Sequence, residues 1–303
     1  MKKLLGFLVI ILTFSFSTSS FAATDELYDT KNKDEYKYTQ PTKEQKEIEL
    51  IVIQADMEAR DEAYNELASM YSRLNGGYLE DTVEFKDTVQ EKIDKKIEKY
   101  GIKRVSGKEA EAEAEAAIGP MASPPTSEIA INKPVIYSSS QGYFLKASAT
   151  WKRDSWGEAY WLKHRPSLGS AMGGEDGMGI YFSDTNNLEI STSSFYTADN
   201  FNKTYNTNLY PEKSAPQGVY YKAQDHLYSS LAYEYTWDKA YITVWPSFKG
   251  KVNTVARTHW THTWSSAKIT GVGLTTTGFN ISISNSGYSY DGVTTTGTSI
   301  IYP

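Results

Sequence analysis

The sequence predicts an α-helical hairpin followed by a mainly β domain, an antiparallel β-sandwich-like fold of two sheets. Three observations carry this expectation. Apolar residues recur at alternating spacings of three and four between residues 42 and 100, and with period two in short runs after residue 128. All seven tryptophans lie in the later part, at 151, 156, 161, 237, 245, 260 and 264. Charge divides at the same boundary: residues 24–127 hold 24 acids and 15 bases, a net of −9, whereas 128–303 hold 13 and 14, a net of +1.

In chain order, residues 1–22 read as a signal peptide. Lys2 and Lys3 precede an apolar run from Leu4 to Phe16, and Ser20-Phe21-Ala22 fits the small-x-small cleavage rule. The run is shorter than the ~20 residues a spanning helix needs. The expectation is therefore a secreted, extracellular bacterial protein with no transmembrane span after signal cleavage. There is no cysteine, so thiolate chemistry and disulfide staples are excluded, and stability must come from a packed core.

Residues 23–41 read as a disordered tail, and 42–100 as the helical hairpin. Thr42 and Gln45 make a capping-box pattern after Pro41. Leu50, Ile53, Met57, Arg60, Tyr64, Leu67, Tyr71 and Leu74 form a seam that only Arg60 interrupts, and the Gly76-Gly77 pair is placed to stop the helix. Asp81 and Glu84 read as the cap pair of a second helix, Phe85, Val89, Ile93 and Ile97 as its stripe, and Gly101 as its end. The two stripes are expected to pair with each other, oligomerisation being the alternative. Residues 101–127 read as an acidic, proline-rich linker: alternate glutamates from Glu109 to Glu115 share no helix face, and Pro120, Pro124 and Pro125 block continuation. This stretch is also where the hairpin could be removed as a propeptide.

From 128 to 303 the pattern is strands and turns. Phe279, Ile281 and Ile283 alternate with Asn280, Ser282 and Ser284; Tyr233, Tyr235 and Trp237 alternate with Glu234, Thr236 and Asp238. "GGEDGMG" at 173–179 reads as a flexible loop. "GLTTTG" at 273–278 returns as "GVTTTG" at 292–297, as expected of neighbouring strands in one sheet.

Chemistry is sparse. "THWTHTW" at 258–264 reads as a strand, whose parity separates His259 from His262, so the two cannot chelate one ion without a bulge. No HExxH, GxSxG or phosphate loop occurs. Glu234 and Asp238 are too far apart along a strand for a glycosidase pair, leaving a hydrolase with dispersed carboxylates (Glu158, Glu175, Asp176, Asp225) as a third option. The near-neutral β half has no basic stripe for nucleic acid. The expectation is no catalytic residue, no metal and no cofactor.

The aromatic load remains. Parity puts Trp260, His262 and Trp264 on one strand face, and with Trp237, Tyr235 and Trp245 they form the candidate ligand-binding set, either a sugar-stacking platform or a sandwich core. The functional expectation is a non-enzymatic binding protein whose partner is a cell-surface or cell-wall glycan or an extracellular protein. Residues 270–300 are similar in composition to the Ser/Thr-rich inserting strands of aerolysin-type pore-forming toxins, which implies a β-barrel insertion activity as the alternative. Gly271, Gly273, Gly278 and Gly287 interrupt that stretch, short of the ~9–11 alternating residues of a barrel strand.

Overall fold

Thr42 opens the first helix in the expected way. Its Oγ1 accepts from the Gln45 amide (3.2 Å), and its own amide donates to Gln45 Oε1 (2.9 Å). The computed structural model describes residues 38–74, 77–105, 128–153, 171–205, 209–226, 236–263, 268–275, 278–284, 290–295 and 298–302, with 171–173, 290–294 and 298–302 in backbone only. The chain divides into Met1–Glu35 and Tyr36–Pro303. The expected signal peptide, all but the end of the 23–41 tail, and most of the 101–127 linker lie outside the described residues. Tyr38, in that tail, is in place, its hydroxyl donating to the Ser193 carbonyl (2.8 Å).

Helix α1 is Lys43–Leu67 and α2 is Val83–Glu98. α1 stops at Leu67 and continues as a 3-10 turn, Ala68–Arg73, so Tyr71 and Leu74 sit beyond the α-helix that the seam predicts. The cap of α2 is Thr82 rather than Asp81: its hydroxyl accepts from the Phe85 amide (3.1 Å), while Asp81 pairs with Lys152 (2.6 Å). Gly101 closes α2 at φ +71°, its amide bonding the Glu98 carbonyl. Val52, Ala55, Ala59 and Ala63 of α1 pack with Phe85, Val89, Ile93 and Ile97 of α2. Both helices also lie on a sheet, which accounts for the broad buried arc of α1 and leaves Leu50 at its exposed edge.

The strands are β1 (Lys103–Arg104), β2 (Ile129–Ile131), β3 (Val135–Ser139), β4 (Gly142–Trp151), β5 (Ala171–Phe182), β6 (Leu188–Ala198), β7 (Thr204–Tyr205), β8 (Lys213–Ala215) and β9 (Gly218–His226). Then follow β10 (Lys239–Phe248), β11 (Val252–Thr263), β12 (Lys268–Thr275), β13 (Gly278–Ser284), β14 (Tyr290–Thr294) and β15 (Thr298–Tyr302). Among the described residues they form a seven-stranded sheet, β1-β3-β4-β10-β6-β7 with β2 also on β4, and a six-stranded sheet, β14-β11-β5-β9-β8 with β15 also on β11. Every pairing is antiparallel. Leu145, Ala147, Phe195, Ile242 and Val244 from the first sheet meet Met178, Ile180, Val219, Tyr221 and Trp260 from the second, filling the sandwich core. β12 and β13 form a separate two-stranded sheet.

Three sequence expectations change. Residues 173–179 are not a loop but part of β5. A Cβ on Gly177 would stand 2.0 Å from Tyr220 Oη, and one on Gly179 would stand 2.6 Å from Phe279 Cε2. These glycines make room for rings that cross the strand. Thr236–Asp238 is a turn into β10 rather than strand, with Tyr233–Tyr235 outside the described residues. The two TTT motifs do not neighbour each other in one sheet: the first ends β12, the second ends β14, which belongs to the six-stranded sheet.

Candidate functional site

The strand parity of the THWTHTW motif holds where it is described. His262 and Trp260 point into the sandwich, and His259 points out of the opposite side of the sheet. Inside, Asp176 Oδ2 and His262 Nδ1 are 2.7 Å apart, and the Thr263 amide donates to Asp176 Oδ1 (3.0 Å). The Trp260 and His262 rings stack at 5.5 Å and 7°, and Trp151 stands edge-on to both. An aspartate oxygen at that distance orients the imidazole ring through Nδ1, the arrangement found in acid–base dyads. Yet His262 is 6% exposed and Asp176 1%, so the pair is an internal tie between β5 and β11.

The other predicted residues separate. Trp237 is 3% exposed and packs edge-on to Phe195 in the core. Trp245 faces the other way, out of the seven-stranded sheet and under α1. Tyr235 and Trp264 lie outside the described residues. Of the carboxylates, Asp225 is buried, Glu175 pairs with Lys222 (3.4 Å), and Glu158 and Glu234 lie outside the described residues. Among the described residues no group of three or more His, Asp or Glu is placed to hold a metal, and no helix is long and apolar enough to cross a membrane.

Sequence reasoning missed the outer face of the seven-stranded sheet. β4 and β10 alternate strictly: Leu145, Ala147 and Ala149, with Ala240, Ile242 and Val244, enter the core. The opposite row is Phe144, Lys146, Ser148 and Thr150, with Tyr241, Thr243 and Trp245, joined by Ser194 and Tyr196 from β6. Such alternation is that of a sheet with one solvated face, but here α1 covers it. The helix meets it with charge. Glu49 accepts hydrogen bonds from Trp245 Nε1 (2.6 Å), Ser194 Oγ (2.6 Å) and Tyr196 Oη (2.7 Å). Asp56 takes Arg60 Nε (2.5 Å) on one oxygen and the Lys146 ammonium on the other. Arg60 is thus no flaw in the seam but one member of a buried ion triad. Burial holds the Glu49 carboxyl above the usual range, partly offset by its three donors. Asp56 is opposed by burial, but Arg60 and Lys146 bring it down to about 2. The signal for this site was present: Glu49, Val52, Ile53, Asp56, Met57 and Arg60 share one helical face.

The six-stranded sheet has a cover of a different kind. Ile269, Val272 and Leu274 of β12 pair across the hairpin with Ile283, Ile281 and Phe279 of β13, giving one apolar row. Phe279 seats against Tyr220 (5.1 Å), Tyr181 (5.6 Å) and His259 (5.8 Å), above Gly179. Lys268, Thr270, Thr275, Asn280 and Ser282 face outward. Burial lowers the His259 pKa to about 4, and its Nε2 lies 3.1 Å from Thr261 Oγ1.

Fold and faces define a two-sheet β-sandwich with a helical cover on one sheet and a β-hairpin on the other. No family model matches the chain, and no curated protein matches it. Among solved structures it is similar to the Clostridium perfringens NetB toxin in its membrane-inserted form, at 8% identity and a TM-score of 0.25, over 53% of this chain and 87% of that one. A likeness that slight assigns neither fold nor function.

Proposed function

We propose that this is a secreted, non-enzymatic binding protein whose β domain engages a surface glycan through the outer face of the seven-stranded sheet. One observation carries the reading. Buried beneath the helical cover, Tyr137, Phe144 and Trp245 stack in series, at 5.3 and 4.7 Å between centroids, beside a row of Ser and Thr hydroxyls. Flat rings with flanking hydroxyls suit the apolar faces and hydroxyl edges of sugars. Of the predicted ligand set, Trp245 is the described member that belongs to this face. Retention on insoluble cell-wall polysaccharide, compared for the intact chain and a chain cleaved within 106–127, tests the reading. Retention that falls with Trp245→Ala supports it; no retention of either form contradicts it.

A second reading, insertion of a β-hairpin into membranes, is favoured by β12–β13, which is a separate sheet with one apolar and one polar row. Its strands, of 8 and 7 residues, are shorter than the ~9–11 of a barrel strand. Dye release from liposomes measures it: release that is lost on tethering β12 to β5 supports insertion, and no release at any pH removes it.

A further inference from the structure

We propose that the sheet face beneath α1 is a binding site for a carboxylate-bearing sugar polymer, and that Glu49 of the protein's own helix occupies it in cis. The inference rests on the glycan reading above and adds the class of sugar and the cover.

The donors come from the sheet and the acceptor from the helix. Trp245 Nε1, Ser194 Oγ and Tyr196 Oη converge on the Glu49 carboxylate from two neighbouring strands. Three donors directed at one carboxyl group make a socket for it, their hydrogen bonds working against the burial that raises its pKa. A second socket lies nearby. Lys146 binds Asp56, two helical turns or about 10 Å along α1 from Glu49. Arg60, which balances Asp56, also belongs to α1. When the helix leaves, Asp56 and Arg60 leave together, and Lys146 remains as an uncompensated cation over the Tyr241 ring. The bared face then has one ammonium, a three-donor socket and the Tyr137–Phe144–Trp245 ring series. A polymer with regularly spaced carboxylates and flat apolar ring faces, a polyuronate, fits this set.

The interface also leaves polar groups unmatched. Thr150, Thr192, Thr243 and Tyr241 bury hydroxyls that have no hydrogen-bond partner among the described residues. Buried hydroxyls are ordinarily paired, so this row is better matched to a polar ligand than to α1. The α1–α2 seam runs on into Tyr137, Phe144 and Trp245, and Ile53 and Met57 pack on Tyr196, Ala198 and Tyr241, so a ligand that takes this face must also displace the apolar packing of the helical pair. While it stays, a tethered carboxylate at high effective concentration excludes a free one.

The test uses the whole chain with a sequence-specific protease site placed within 106–127, nicked or intact, and polygalacturonate as probe. The nicked chain is expected to bind at least tenfold tighter than the intact chain. Trp245→Phe, which keeps the ring and removes the N–H, is expected to cost the nicked chain about tenfold. In the intact chain, acetate should restore melting temperature to Glu49→Ala where chloride of equal ionic strength does not. Absence of that rescue, or an unchanged affinity in Trp245→Phe, overturns the socket. Dextran bound as well as polygalacturonate overturns the carboxylate class while the glycan reading survives. Polyglutamate bound in preference overturns the sugar assignment, and acetate rescue with no polymer bound overturns the polymer site and the glycan reading together.

Discussion

The two outer faces of this sandwich are both covered, and by opposite chemistry. Over the seven-stranded sheet, α1 seats two carboxylates and a guanidinium on a face of hydroxyls, a lysine and aromatic rings. Over the six-stranded sheet, β12–β13 presses Phe279 into a notch that Gly177 and Gly179 keep open and that Tyr220, Tyr181 and His259 wall. The first cover combines apolar packing of α1 and α2 on Tyr137, Phe144, Tyr196, Tyr241 and Trp245 with matched charge in a dry interface, where the desolvation cost nearly cancels the attraction. The second is held by ring burial, which is non-directional and adds with area. The comparison separates fit from strength: the helical cover adds placed charges to its apolar packing, whereas the hairpin is an aromatic plug.

The largest expected effect is on the polar side. Asp56→Ala leaves Arg60 and Lys146 buried without their anion, which should cost about 3–5 kcal/mol by denaturant titration. Adding Lys146→Met should recover part of that loss, and additive losses would break the ion-triad account. On the apolar side, Phe279→Ala should cost about 3 kcal/mol of hairpin docking, read as faster hydrogen exchange in 268–284 with the core strands unchanged.

The two covers should also respond to pH in opposite directions. His259 is held neutral, so its contribution is complete above pH ~6.5 and is lost as pH falls towards about 4, by at most about 3 kcal/mol. Its neighbours, Tyr220, Phe279 and Thr261, offer no carboxylate to offset that charge. Glu49 is shifted upward, so its contribution is complete below about pH 4.5 and fades as pH rises through its raised pKa. Acidifying from pH 7 to 4.5 should therefore loosen β12–β13 and tighten α1. Exchange rates for the two segments across that range check this, and parallel changes in both would refute it. The smallest effect is local: Thr42→Ala should cost about 1 kcal/mol by removing the cap of α1, with no change in the hairpin.

Much of this was legible in the sequence because it depends on near neighbours. The Thr42 box, the Gly101 stop and the split of His259 from His262 follow from spacings of a few residues. What was not legible depends on distant partners. Gly177 and Gly179 look like loop residues until Tyr220 and Phe279 are known to cross them. Arg60 looks like a defect until Lys146, 86 positions later, completes its triad with Asp56. Asp81 looks like the cap of α2 until Lys152 claims the aspartate and Thr82 takes the Phe85 amide. Trp245 could have been placed by strand parity, which puts it opposite Ala240, Ile242 and Val244. That α1 would lie on it could not.

The central claim is that the sheet of β3, β4, β10, β6 and β7, with β2, stands without its helical cover and without β1, which stays on the helical side of a cut within 106–127. Hydrogen exchange on the chain cleaved within 106–127 addresses it directly. The account predicts that α1 and α2 separate from the sheet while β4, β6 and β10 keep their slow-exchanging amides. Loss of protection in the helices and those strands together, as one cooperative unit, would contradict it.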